Sequence, residues 1–246
     1  MSHQLLVLHF GMQRPWQPWV AEQAREAAKR LGGRVDIVDV SQRSDLAEHY
    51  RLFFPFVTVI NGIAQLPSPT RAEELVRIAV DGFTPPPLTP ILIQTEARIE
   101  TIKPLIAANI GDTCHLCIRP EENRGCLSKA SWAYHISRHV QGGILGFAAY
   151  HDDRAVGVVE FLPSELVPYP IPEKSPVVAF ITCLYSLENG SDYRGQVLEY
   201  LVDHLQGTAY HELHIIAGRH TPYPNGPEAF FHPYGFNSMC ELRESH

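Results

Sequence analysis

The sequence predicts an α/β (α+β) chain organised as two domains, and three observations predict it. Short apolar runs alternate with stripes of helical spacing over the first part, in the order β-α-β-α-β-β-α. Four prolines then crowd the stretch Gly82–Pro90, which reads as a stiff, extended connector because proline neither donates to a ladder nor continues a helix. A second series of strands and helices follows from Ile91 onward. The expected division is a domain over 1–81, a linker over 82–90 and a domain over 91–246.

Composition limits the function classes. A chain of 246 residues with 45% hydrophobic and 19% charged residues suits one large or two ordinary globular domains. A formal charge of −7 carries no basic footprint, so a nucleic-acid partner is not expected. No apolar run approaches the roughly 20 residues that span a bilayer, and the start shows no cationic leader, so a cytoplasmic protein without a membrane partner is expected. Five cysteines, an odd number, fit a reducing compartment better than a disulfide framework.

In the first domain, Gln4 to Phe10 reads as a strand. Trp16, Val20, Ala24, Ala27 and Leu31 define one helical stripe, ended by Gly32-Gly33. Arg34 to Val40 and Pro55 to Ile60 are further strands. Asn61-Gly62 is a two-residue hairpin signal leading into Ile63 to Leu66. Thr70 is the expected cap of a last helix carrying Leu75, Val76, Ile78 and Ala79. This order resembles the thioredoxin fold, with Phe54-Pro55 where that fold carries its cis-proline. The resemblance stops at the chemistry. Pro15-Trp16-Gln17-Pro18-Trp19 stands where that family has Cys-x-x-Cys, and residues 1–87 contain no cysteine. Without an attacking thiolate and a resolving partner the domain is expected to be redox-inactive, serving protein contacts or covering a substrate site.

In the second domain, Ile91 to Gln94 reads as a strand, Glu96 to Ala108 as a helix, and Leu127 to Gln141 as a helix before Gly142-Gly143. Ile144 to Tyr150 and Ala155 to Leu162 are strands about the polar turn His151-Asp152-Asp153-Arg154. Val177 to Tyr185 is a long apolar strand leading to a helix striped by Val197, Leu198, Leu201, Val202 and Leu205. Leu213 to Ala217, a helical segment at Pro227 to Phe231, and a final strand to Leu242 complete the series.

Three segments carry a second resemblance: Ala155-Val156-Gly157-Val158-Val159-Glu160, Ile181-Thr182-Cys183-Leu184-Tyr185 with its glycine-containing loop, and Phe230-Phe231-His232-Pro233-Tyr234-Gly235-Phe236. Their order resembles the GNAT superfamily of acyl-CoA N-acyltransferases, which implies a mixed sheet flanked by helices. It also implies acetyl-CoA as co-substrate, with no metal, and acyl transfer to a small-molecule or peptide amine. Physically, a helix N-terminus with unpaired N–H groups and a glycine suits a pyrophosphate. The cofactor-binding residues so implied are Leu184, Tyr185, Gly190, Tyr193, Arg194, Gly195, Gln196 and Asn225. Backbone N–H groups near Leu184 and Tyr185 would hold the thioester carbonyl, and Arg194 would add a charge-assisted contact. The sequence departs from the family pattern of Gln/Arg-x-x-Gly-x-Gly/Ala, with Gly190 and Tyr193 at its first two fixed positions, and Asp192 is poorly placed beside a phosphate.

Catalysis would fall to Glu160, Tyr234 and His220. Glu160 is either a base or a glutamate on a water-facing strand. Tyr234 is either the proton donor that Phe231 cannot be or a packed aromatic, and His220 is either a second base or a loop histidine. Cys114, Cys117 and Cys126 fall in the segment that in this family lines the acceptor site, and Lys129 and Trp132 lie on the following helix, where Trp132 either shapes an acceptor pocket or packs in the core. Cys114, Cys117 and Cys126 with His115, His135 or His139 offer a zinc reading, but no second Cys-x-x-Cys or close His pair completes it, and reduced thiols near the pocket are expected instead. The alternative to an enzyme is a non-catalytic acyl-CoA-binding or adaptor protein with a degenerate site. Only ten residues follow Phe236, so the sheet edge is expected to be covered by the first domain or by a second subunit in a homodimer.

Overall fold

The computed structural model describes residues 3–67, 69–82, 95–96, 99–117, 124–187, 191–219 and 224–242. The chain divides into two compact units. The first is Met1–Pro87 with Pro168–Pro170 and Leu242–His246, and the second is Leu88–Val167 with Ile171–Glu241. Most of the proline-rich stretch and the strand expected over Ile91–Gln94 lie outside the described residues. No described helix is long and apolar enough to cross a membrane.

In the first unit the order is β1 (Gln4–His9), α1 (Gln17–Arg30), β2 (Arg34–Asp39), α2 (Ser44–His49), β3 (Phe56–Ile60), β4 (Ala64–Leu66) and α3 (Ala72–Asp81). The sheet runs β2-β1-β3-β4, with β1 parallel to β2 and antiparallel to β3. Val20, Ala24 and Ala27 of the predicted stripe are fully buried, and Trp16 and Leu31 pack on the same core. Asn61 and Gly62 both take positive φ, as a tight hairpin between β3 and β4 requires. Two expectations fail here. The cap of α3 is Arg71, not Thr70: its backbone N–H donates to Glu74 Oε2. Phe54–Pro55 is not cis; the cis X-Pro bond among the described residues is Gly226–Pro227.

The second unit contains β5 (Thr95–Glu96), β6 (Thr101–Leu105), α4 (Arg124–Ile136), β7 (Gly146–His151), β8 (Arg154–Pro163), β9 (Val178–Ser186), β10 (Ser191–Asp192), α5 (Arg194–Leu205) and β11 (Glu212–Ile215). Its main sheet runs β11-β9-β8-β7-β6, antiparallel except for the parallel pair β9/β11, and β5 pairs with β10. The helix expected over Glu96–Ala108 is replaced by strand. Pro104 lacks the N–H that a helix interior needs, and Thr101 and Ile102 are β-branched, so the segment pairs with β7 at the sheet edge, where proline is tolerated. The helix expected over Leu127–Gln141 ends at Ile136, followed by 3-10 turns at Ser137–His139 and Gln141–Gly143. The final strand expected up to Leu242 is absent: residues 236–242 are irregular.

The helix α5 packs one face of this sheet. Val159 and Phe161 of β8, with Ala179, Ile181 and Leu184 of β9, join Val197, Leu198 and Leu201 in its core. The β8/β9 ladder shifts register between Glu160 and Phe161: Glu160 faces Cys183 and Phe161 faces Ile181, so Thr182 is the extra residue of a bulge.

Candidate functional site

The parallel pair β9/β11 ends early. Its register runs from Glu212↔Val178 to Ile215↔Ile181, whereas β9 continues to Ser186. Beyond Ile181 the gap is filled by a side chain: the Leu184 N–H donates to Asn225 Oδ1 at 3.1 Å, and Asn225 Nδ2 donates to the Ile216 carbonyl at 3.2 Å. Asn225 holds φ +50°, a conformation asparagine tolerates better than most residues. The start of α5 is tied to the end of β9. Ser186 Oγ accepts the Tyr193 N–H at 3.1 Å and donates to the Ser191 carbonyl at 3.2 Å. The carboxyl end of a parelled strand pair and a helix N-terminus therefore come together, the combination that binds anionic ligands in α/β proteins.

Several residues read from sequence meet here, in altered roles. The Leu184 N–H, expected to hold the thioester carbonyl, donates to Asn225 Oδ1. The Arg194 guanidinium is already neutralised. It grips Asp192 through Nε at 3.0 Å and Nη2 at 2.8 Å, donates Nη1 to the Gly226 carbonyl at 3.0 Å, and lies 4.2 Å over the Phe230 ring. Asp192 also accepts the Arg194 N–H, and through Arg194 the clasp ties the helix start to Gly226 and Phe230. The Tyr193 side chain is buried in the core, close against Gly157, where a Cβ would sit 2.8 Å from Tyr193 Cβ.

Gly195 has a direct structural reason. A Cβ there would lie 2.3 Å from Tyr234 Oη, so glycine is what lets the phenol sit on the first turn of α5. Tyr234 stacks beside Phe230 at 5.4 Å, and Phe231 is buried, packed against Phe230 and Phe236. Tyr185 and Gln196 are half-buried nearby in the chain. Gly190 and His220 lie outside the described residues.

Glu160 is not on a water-facing surface. Strand alternation places Val159 and Phe161 toward α5 and Glu160 on the other side, where α4 supplies Lys129. The two side chains form an ion pair and hydrogen bond while only 1% and 2% exposed. Burial by itself would lower the Lys129 pKa, but the Glu160 carboxylate, followed by Cys117 and Cys183, outweighs it, and the net direction is upward. The ammonium is therefore held charged inside the protein. Cys114 is also buried there. Burial first, then its hydrogen bond with Cys126, pushes its thiol up to about 12, against the pull of Lys129. Trp132 is half-buried on α4. The groups of three side chains that could hold a metal among the described residues are Glu100, His151 and Asp152, and Glu173, Glu212 and His214; Cys114, Cys117 and Cys126 form no such group.

Sequence reasoning missed the Lys129–Glu160 partnership, since nothing local links positions 31 apart. It also missed the Asp192–Arg194 clasp, for which the i, i+2 spacing of opposite charges beside a helix start was a readable signal.

No family model and no curated protein matches the chain. Solved structures do resemble it. One is a ribosomal-protein-alanine N-acetyltransferase from Brucella melitensis biovar Abortus 2308, at 16% identity and a TM-score of 0.39 over 59% of this chain and 99% of that one. A second is an aminoglycoside antibiotic 6'-N-acetyltransferase from Acinetobacter haemolyticus, at 17% and 0.38 over 59% and 97%. A third is a predicted acetyltransferase with acetyl-CoA from Clostridium acetobutylicum, at 14% and 0.38 over 59% and 95%. At such scores the likeness adds nothing to what the chain's own strands and side chains show.

Proposed function

We propose that the second unit binds acetyl-CoA where β9 and β11 part and transfers the acetyl group to an amine. The observation that carries this is the opening beyond Ile181 and Ile215, bridged by Asn225 and faced by the N-terminus of α5 with Tyr234 on its first turn. The thioester would lie along the end of β9 that β11 leaves unpaired, with its phosphates toward the backbone N–H groups of the α5 start. The amine nitrogen attacks the thioester carbonyl carbon, the C–S bond breaks, and the Tyr234 hydroxyl gives its proton to the departing thiolate. Glu160 is committed to Lys129, so the amine sheds its proton to solvent, and the buried pair braces the strand next to the reacting end of β9.

Calorimetric titration with acetyl-CoA is the test, followed by chromatographic detection of released CoA across a panel of amines. Absence of binding at millimolar acetyl-CoA sinks the proposal. A second reading, a non-catalytic acyl-CoA-binding protein, is favoured by the closed Arg194–Asp192 clasp, and it holds if CoA binds while no amine releases it.

The first unit fits a thioredoxin-like domain, supported by its order β2-β1-β3-β4. With no cysteine in residues 1–87 it has no dithiol to exchange, and its proposed role is contact with a protein or cover for a substrate site.

A further inference from the structure

The start of α5 already carries an anion, and that anion belongs to the chain itself. Asp192 Oδ1 accepts the Arg194 backbone N–H at 3.0 Å and its Nε–H at 3.0 Å. Asp192 Oδ2 accepts from Nε at 3.2 Å and from Nη2 at 2.8 Å. A guanidinium fork joined by a backbone N–H at a helix start is also the donor set that suits a pair of phosphate oxygens. The two side chains are 16% and 20% exposed, so bulk water screens this pair less than it would one on the open surface. The neighbouring Tyr193 N–H is taken as well, by Ser186 Oγ at 3.1 Å.

The two halves of the clasp are anchored unequally. Arg194 is held from a second side by the Gly226 carbonyl, which accepts Nη1 at 3.0 Å, and by Phe230, whose ring centre lies 4.2 Å from the guanidinium carbon. Asp192 belongs to β10, a strand of two residues paired with Thr95–Glu96. The carboxylate is therefore the partner that can leave while the guanidinium stays in place.

We propose that Asp192 is a built-in competitor for the diphosphate of the acyl donor, an inference that rests on the acetyl-CoA reading of this site. In the closed form the carboxylate fills the seat. Donor binding exchanges it for the diphosphate, which takes over the Arg194 backbone N–H, Nε–H and Nη2–H. Two anions cannot share these donors at hydrogen-bond distance without strong repulsion, so the seat holds one or the other. Arg194 keeps Gly226 and Phe230 through the exchange, which leaves the adjacent Asn225 bridging Leu184 and Ile216. The closed form lowers the apparent affinity for any donor that needs the seat, in proportion to its population. A diphosphate delivered on a bound pantetheine arm displaces the carboxylate, whereas a free small anion meets a seat that is already neutral.

The test is calorimetric titration of the full chain, wild type against Asp192→Asn, with acetyl-CoA, S-acetylpantetheine and inorganic pyrophosphate. Asparagine keeps the shape and an acceptor oxygen for the Arg194 N–H and removes the charge. D192N should bind acetyl-CoA at least about fivefold more tightly than wild type. It should also gain affinity for pyrophosphate, and its affinity for S-acetylpantetheine, which has no diphosphate, should be unchanged. Equal acetyl-CoA affinity in the two proteins, weaker binding by D192N, or an equal gain for S-acetylpantetheine overturns the proposal and leaves the acetyl-CoA reading standing. If neither protein binds millimolar acetyl-CoA, that reading fails, and pyrophosphate then decides the clasp alone: no gain on D192N overturns it. A wild-type measurement serves where the variant does not fold. The carboxyl carbon resonance of Asp192 should move on saturation with acetyl-CoA and stay in place with S-acetylpantetheine; a resonance unmoved by acetyl-CoA overturns the exchange.

Discussion

Replacing Glu160 by glutamine removes one charge and little volume, which isolates the electrostatics of the buried pair. Both side chains are almost wholly out of water, so the variant leaves the Lys129 ammonium without a counter-charge. Breaking a buried pair from one side costs about 3–5 kcal/mol, because the remaining charge keeps its desolvation penalty and loses its partner. At about 2–4 °C per kcal/mol for a protein of this size, the melting temperature should fall by about 6–20 °C. Lys129→Met should behave similarly. The double variant Lys129→Met/Glu160→Leu removes both charges and should be less destabilised than either single change, within about 1–2 kcal/mol of wild type. Scanning calorimetry on the four proteins gives the comparison. If E160Q melts within about 2 °C of wild type, or if the two single costs simply add in the double variant, the pair is not a buried charge couple and the reasoning is wrong.

Other outcomes follow from the same geometry. Gly195→Ala forces a methyl group onto Tyr234 Oη and should cost about 1–3 kcal/mol by urea unfolding; adding Tyr234→Phe, which leaves Cζ at 3.4 Å as the nearest atom, should recover most of it. Asn225→Ala strips the Leu184 N–H of its partner in the gap between the strands and should destabilise by about 1–3 kcal/mol in the same assay, with weaker acetyl-CoA binding by calorimetry. The stability contributed by the three groups raised by burial or pairing should be complete below about pH 9 and decline as pH rises from about 9 to 12. Cys114 and Tyr150 are each pushed up to about 12, from 9.0 and 10.0, and Lys129 is also raised, so the unfolded chain releases these protons first. Urea midpoints at pH 8, 9.5 and 10.5 check this, and a midpoint that rises across that series contradicts it.

Local chemistry was legible wherever neighbours in sequence are also neighbours in space. Asn61-Gly62 fixed its hairpin because two positive-φ residues are needed within the turn itself. Val20, Ala24 and Ala27 revealed the buried face of α1 because helical period alone selects them. The segment 96–108 misled because its apolar spacing suits a helix, while Pro104 and the demand of β7 for an edge partner decide for strand. At the site, Gly195 and Tyr234 were both singled out, yet their contact spans a loop that periodicity does not measure. Arg194 was assigned to a phosphate and Asp192 was read as poorly placed beside one, when each is the other's partner. Glu160 drew notice as a carboxylate in an apolar strand, and Lys129 as a residue on the facing helix; only packing makes them one unit.

The extra residue in β9 makes chain length itself part of the design. Before Thr182, odd-numbered side chains, Ala179 and Ile181, enter the core under α5; after it the parity reverses and Leu184 enters instead. A deletion at 182 would therefore differ in kind from any substitution there. It would join Ile181 directly to Cys183 and restore plain alternation, so Leu184 would stay in the core and Cys183 would stay opposite Glu160, while the bend and added twist of the bulge would be lost. Homologous chains aligned across this strand should tolerate a gap at 182 better than at 181 or 183, and an alternation pattern read without that change of parity places Cys183 on the wrong side of the sheet.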